Sequence, residues 1–158
     1  SCFCTFLVTF PNAYSDVYFK GFKTYSSYDF IDEQNKTIKK PFIVPHQTNF
    51  NKMLASNVIS CSTSFIKTEL MQAHPFNPEF YHEDYVLWME LLQVCPTAYG
   101  DQKVLMHYWQ VTELRSNKKG NVAKERWNTY RKALNLNALT SAWASMRYAV
   151  RGVVKYYF

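Results

Sequence analysis

Acidic residues are almost missing from the last quarter of this chain. Residues 118–158 hold one, Glu125, against nine lysines and arginines, a net of +8. Residues 1–117 hold eleven acids against nine bases, a net of −2, and the two parts sum to the chain's +6. The basic character therefore belongs to the tail, where it fits an anionic partner such as a lipid surface, a phosphate-bearing substrate or nucleic acid. No nucleic-acid reader motif accompanies the charge, so nucleic acid is not expected. Cysteine is scarce too. Cys2, Cys4, Cys61 and Cys95 make no disulfide framework, and Cys2-x-Cys4 has no second pair to complete a zinc site. Reduced thiols in a cytoplasmic protein are expected. No apolar run reaches the roughly 18 residues that a transmembrane helix needs. The apolar first ten residues lack the basic start and small-residue cleavage site of a signal peptide. The spacing Asp-x-Asp occurs nowhere, and neither an internal repeat nor a low-complexity tract is found.

What is present is a globular composition. The chain has 158 residues, 47% hydrophobic and 19% charged, which is enough for one domain with a buried core. Aromatics reach 18%. That richness suits a protein that stacks flat rings, and it equally suits an aromatic core.

Along the chain, residues 1–23 give a short apolar run closed by Pro11-Asn12 and are left unassigned. Residues 24–31 are β-prone and partly alternating, Asp32 to Lys36 reads as a turn, and Thr37 to Val44 returns with Pro41 marking an edge strand. Asp29 and Asp32 match no metal loop and are read as strand-end and turn acids. Asn49 or Asn51 caps a short helix with Phe50, Met53 and Leu54 facing inward. Val58 to Ile66 alternates and reads as a strand with one small, hydroxyl-rich face. Such a face accepts a sugar ring or is simply crowded by neighbouring backbone. Thr68 is expected to cap a helix to Ala73, followed by a stiff loop with Pro75 and Pro78. Lys103 to Val111 reads as a strand carrying His107. Ala123, Trp127, Tyr130 and Leu134 fall in line on one helix, and Ala138 to Phe158 form another. On that last helix Arg147, Arg151 and Lys155 make a basic stripe set largely apart from Trp143, Met146 and Val150. Two readings stand: the helix lies on an anionic membrane surface, or it packs on its own domain with a solvated basic face.

The stretch richest in chemistry is His82-Glu83-Asp84-Tyr85-Val86-Leu87-Trp88. Leu87, Trp88, Leu91, Leu92 and Cys95 form a helical stripe, so Glu83 and Asp84 fall at the helix start. The macrodipole and unpaired N–H groups attract negative charge there. The pair reads either as capping acids or as a general base.

The order of segments adds to this. Tyr25-Ser26-Ser27-Tyr28-Asp29-Phe30-Ile31-Asp32-Glu33 precedes Asn57-Val58-Ile59-x-x-Ser62-Thr63, then Phe76-Asn77-Pro78-Glu79-Phe80, Glu83-Asp84-Tyr85-x-Leu87-Trp88 and Arg115-Ser116-Asn117-Lys118. Over about residues 24–158 this resembles the C-terminal, acceptor-binding half of bacterial family 2 glycosyltransferases, enzymes of GT-A fold that work in capsule and O-antigen assembly. The resemblance implies an α/β architecture, α+β in this portion. It would be a partial mixed sheet flanked by helices, with residues 24–116 as the acceptor side of a catalytic domain and 117–158 as a basic helical tail. It implies Asp84 as catalytic base with Glu83 beside it. Ser62, Thr63, Trp88, Arg115 and Lys118 would be substrate-binding, and His107 would touch a metal or phosphate. It implies a nucleotide-sugar donor with Mg²⁺ or Mn²⁺, held in that family by the half that ends in Asp-x-Asp. A glycan or lipid-linked acceptor is the expected partner. The expected location is cytoplasmic and peripheral on the inner membrane face. Without the nucleotide-binding half, an open sheet edge is expected to favour self-association.

Overall fold

A computed structural model of the protein describes residues 23–109 and 119–157. They form an α+β fold in which a curled, mixed five-stranded sheet is flanked by helices, as the sequence implies. Strand β1 (Lys23–Ile31) is the hub. One side of it pairs in parallel with β5 (Ala98–Trp109). Its other side pairs antiparallel with β2 (Thr37–Phe42) at one end and β4 (Ser64–Ile66) at the other. Short β3 (Gln47–Thr48) pairs antiparallel with the start of β5. A parallel neighbour requires a long crossover. Between β1 and β5 the chain supplies α1 (Phe50–Ala55), α2 (Thr68–Ala73) and α3 (Glu83–Val94).

Local chemistry explains the turns. Asp32 Oδ1 accepts from the backbone N–H of Gln34 at 3.0 Å and of Lys36 at 2.9 Å, and Asn35 takes a left-handed φ of 61°. Asp32 is thus a turn acid, as expected. β2 with its Pro41 lies at the sheet edge, where no ladder bond is lost. Asn49 caps α1 by accepting from Lys52 N–H at 3.0 Å.

Four expectations are corrected. The alternating stretch 58–66 is not one strand. A 3₁₀ turn at Cys61–Thr63 interrupts it, because Thr63 Oγ1 donates to Ser60 O and Ser64 Oγ to Cys61 O. Such local bonds compete with a sheet ladder. Thr68 does not cap α2: Lys67 holds the cap position and its side chain makes no capping bond. β5 begins at Ala98, not Lys103, since Gly100 lets its backbone approach that of Pro45 and His46. Finally, α3 is buried on nearly every side, with Tyr85 to Met89, Leu91 and Leu92 all inside. A helix that is apolar all round belongs at the centre of a domain.

The C-terminal segments complete that centre. Helix α4 (Lys119–Asn128) runs into a π-helical turn at Thr129–Ala133, and α5 (Ala138–Tyr157) follows. Tyr130, Leu134 and Ala144 belong to the same core as Tyr85, Leu87 and Trp88. Of the expected line, Tyr130 and Leu134 are buried just beyond α4, whereas Ala123 and Trp127 are exposed and Arg126 is buried instead.

Candidate functional site

The first turn of α3 carries Glu83 and Asp84, both half-buried. Among the described residues neither has an ion pair. His82 precedes them at the cap position and makes no capping bond.

Behind them the helix is clamped. The α1 carbonyls of Met53 and Leu54 lie in its last turn, where a helix leaves acceptors unpaired. Tyr85 Oη donates to Met53 O at 3.1 Å and Tyr130 Oη to Leu54 O at 3.0 Å. Burial raises the Tyr85 phenol well above its ordinary range, so it remains a donor. Arg126 is 5% exposed. Its guanidinium lies 4.1 Å from the Tyr85 ring and 3.9 Å from the Tyr148 ring, and Nε donates to Tyr130 Oη at 3.2 Å. A desolvated cation between two aromatic faces gains about 2 kcal/mol. This sandwich ties α3, α4 and α5 together directly behind the acid pair. Arg126 Nη2 and His82 Nε2 are buried without a hydrogen-bond partner among the described residues.

The His82 imidazole titrates below its ordinary value of 6.5, first because it is buried and then because Arg126 is near; Asp84 and Glu125 pull the other way. A neutral imidazole therefore stands beside Asp84. Below pH 6.5 the unfolded chain binds a proton that the folded chain refuses. Stability is accordingly expected to fall as pH drops from 6.5 through the folded value, and to be level above 6.5. Urea unfolding at a series of pH values, compared with His82→Gln, reads this directly. The variant should lose that acid slope, and an unchanged slope would remove His82 as its source.

The remaining expected residues are spread over the fold. Ser62 is exposed on the 3₁₀ turn. Thr63 is 3% exposed with its hydroxyl donating to Ser60 O, and Trp88 is 1% exposed in the core. Both of these positions face inward. Arg115 and Lys118 lie outside the described residues. His107 stands on β5 and its Nδ1 is hydrogen-bonded to Asp29 Oδ1 at 2.5 Å. Asp29, 8% exposed, is more than the strand-end acid that its sequence context suggests. It engages one nitrogen of the histidine and leaves the imidazole itself largely exposed. Among the described residues no group of three His, Cys, Asp or Glu side chains is placed to hold a metal ion. Asp29 and His107 are joined to each other, and among the described residues no third ligand joins them.

The opposite face of the same strands is aromatic. Tyr28 stacks on Phe42 at 5.2 Å and meets Tyr108 edge-on at 5.0 Å, and Lys39 lies over Phe30 at 5.2 Å. Tyr108 Oη is hydrogen-bonded to Ser60 Oγ. The sequence marks these positions as β-prone but not as a cluster. Their signal is the alternation of aromatic residues at 28 and 30 in β1, matched by Tyr108 in β5.

Part of the chain is similar to a glycosyltransferase. Over 70 residues it is 34% identical to the UDP-Glc:alpha-D-GlcNAc-diphosphoundecaprenol beta-1,3-glucosyltransferase WfgD of Escherichia coli. That stretch is 44% of this chain and 26% of the relative, so the match spans about a quarter of the relative's length. No family model matches the chain. No helix among the described residues is long and apolar enough to cross a membrane.

Proposed function

We propose that this chain forms the acceptor-binding side of an inverting glycosyltransferase. The enzyme would move a hexose from a nucleotide sugar to a glycan or lipid-linked acceptor in cell-surface polysaccharide synthesis. The observation that carries the reading is the acid pair Glu83-Asp84, half-buried and without an ion pair among the described residues, at the start of a helix fixed by the Arg126 sandwich. The partial identity to a glucosyltransferase supports the class of reaction. Asp84 takes the proton from the acceptor hydroxyl. The freed oxygen attacks the anomeric carbon from the side opposite the departing nucleotide diphosphate, and the configuration inverts. Glu83 orients the acceptor beside it. Fixing the helix matters because a base must lie within hydrogen-bond reach of the proton it removes.

Titration of the isotopically labelled chain tests the reading. A short-chain lipid-diphosphate-linked disaccharide is expected to shift the amide signals of residues 82–85. Nucleotide sugars with Mg²⁺ or Mn²⁺ are expected to leave the described residues unmoved. Donor binding on these residues, with the start of α3 unmoved by any acceptor, would reverse the assignment.

A further inference from the structure

Helix α5 has one face too many for its own domain. Its inner face holds the buried Ser141 and Ala144, and the Tyr148 ring that covers Arg126. On the outer face Leu139 is 85% exposed, Trp143 58%, Met146 52% and Val150 57%. These four recur at i, i+4, i+7 and i+11. At about 100° per residue they fall within roughly 60° of one another, a straight apolar stripe about 16 Å long. The helix thus packs on its own domain through one face and leaves this stripe uncovered. Between the two faces lie half-buried Arg147 and exposed Arg151. No acid occurs anywhere in α5. Lys155 continues that edge in sequence, at a position whose side chain is outside the described residues.

We propose that this face of α5 lies flat on an anionic lipid surface. Leu139, Trp143, Met146 and Val150 enter the boundary between headgroups and acyl chains, and Arg147 and Arg151 meet lipid phosphates. The inference is independent of the role of Asp84. Exposed contiguous apolar side chains of this kind mark an interaction surface. Charge selects the occupant. A second copy would bring like arginines together along the seam, whereas an anionic bilayer complements them. A straight stripe with a tryptophan in it suits a plane, and tryptophan favours the membrane interface.

The test uses the whole 158-residue chain. It is floated with vesicles of equal parts phosphatidylcholine and phosphatidylglycerol, and with phosphatidylcholine alone. Binding to the mixed vesicles is expected to be stronger by at least about tenfold, since each arginine near such a surface is worth roughly fivefold. Trp143→Ser with Val150→Ser should weaken binding by more than about tenfold, because two buried apolar side chains are lost. Both positions are exposed, so the melting temperature should hold. Arg147→Glu with Arg151→Glu should erase the preference for the anionic vesicles. Equal binding by all variants would overturn the proposal. So would a dimer, seen by light scattering, that the Trp143→Ser, Val150→Ser variant converts to monomer, because the occupant would then be a second copy.

Discussion

Asp84→Asn is expected to lower sugar transfer by about 10²- to 10⁴-fold, the usual contribution of a general base. The polypeptide assayed must also carry a donor-binding half. Asparagine matches aspartate in size and serves a helix start nearly as well. The substitution therefore removes proton acceptance and little else. Acceptor affinity should change less than about threefold, and the melting temperature should hold. Those three readouts separate the two meanings of the acid pair. If Asp84 only stabilises the helix entry, transfer survives and any change lies in stability. Glu83→Gln sharpens the contrast further. It should weaken acceptor binding while keeping much of the turnover. Full activity in Asp84→Asn with lost activity in Glu83→Gln would move the base by one residue. Such a swap is conceivable because both acids sit in the same helical turn, half-buried and without an ion pair among the described residues.

Gly100→Ala should have the largest effect on the fold itself. A Cβ at this position would come within 2.2 Å of the Pro45 carbonyl oxygen and 3.1 Å of the Tyr25 ring. The first neighbour is backbone and cannot swing aside. It is also fixed from both directions: Tyr25 Oη donates to Pro45 O at 3.1 Å, and Gly100 N–H donates to His46 O at 2.8 Å. Relief therefore means parting β5 from the segment that leads into β3. The expected cost is about 3 kcal/mol or more, the upper end of overpacking effects. For a chain of this size that lowers the melting temperature by on the order of 10 °C. No glycine among the described residues has a positive φ, so the cost is steric and not conformational. Tyr25→Phe is the comparison. It loses one hydrogen bond, worth about 1 kcal/mol. A Gly100→Ala protein that melts within about 2 °C of the parent would show that the two backbones are farther apart than this.

Local features were legible in the sequence because their causes are local. The Asp32–Lys36 turn, the Asn49 cap, the Pro41 edge and the start of α3 each rest on residues within a few positions of one another. What escaped depends on distance along the chain. Asp29 and His107 are 78 residues apart, and nothing near either one announces the other. They meet because the register of β1 on β5 slips as it proceeds. Ser26 lies opposite Asp101, Ser27 opposite Val104 and Asp29 opposite His107, so the offset grows from 75 to 78. The bulged part is held by Ser27, whose hydroxyl accepts from Val44 N–H and donates to Asp101 O. Arg126 escaped for another reason. Charge predicts exposure, and only the rings of Tyr85 and Tyr148 make burial of a guanidinium favourable. The α5 stripe was visible as a pattern. Periodicity shows that a face is apolar, but cannot show whether the fold covers it.

The shared core of α3 with the last two helices governs the order in which the protein can mature. Tyr85, Leu87 and Trp88 are synthesised well before Tyr130, Leu134 and Ala144, which close over the same space. A nascent chain halted near residue 117 would hold the acid pair on a helix lacking part of its cover, with the Tyr85 ring lacking its cation. The first turn of α3 gains its full support only when residues 119–148 have docked against it.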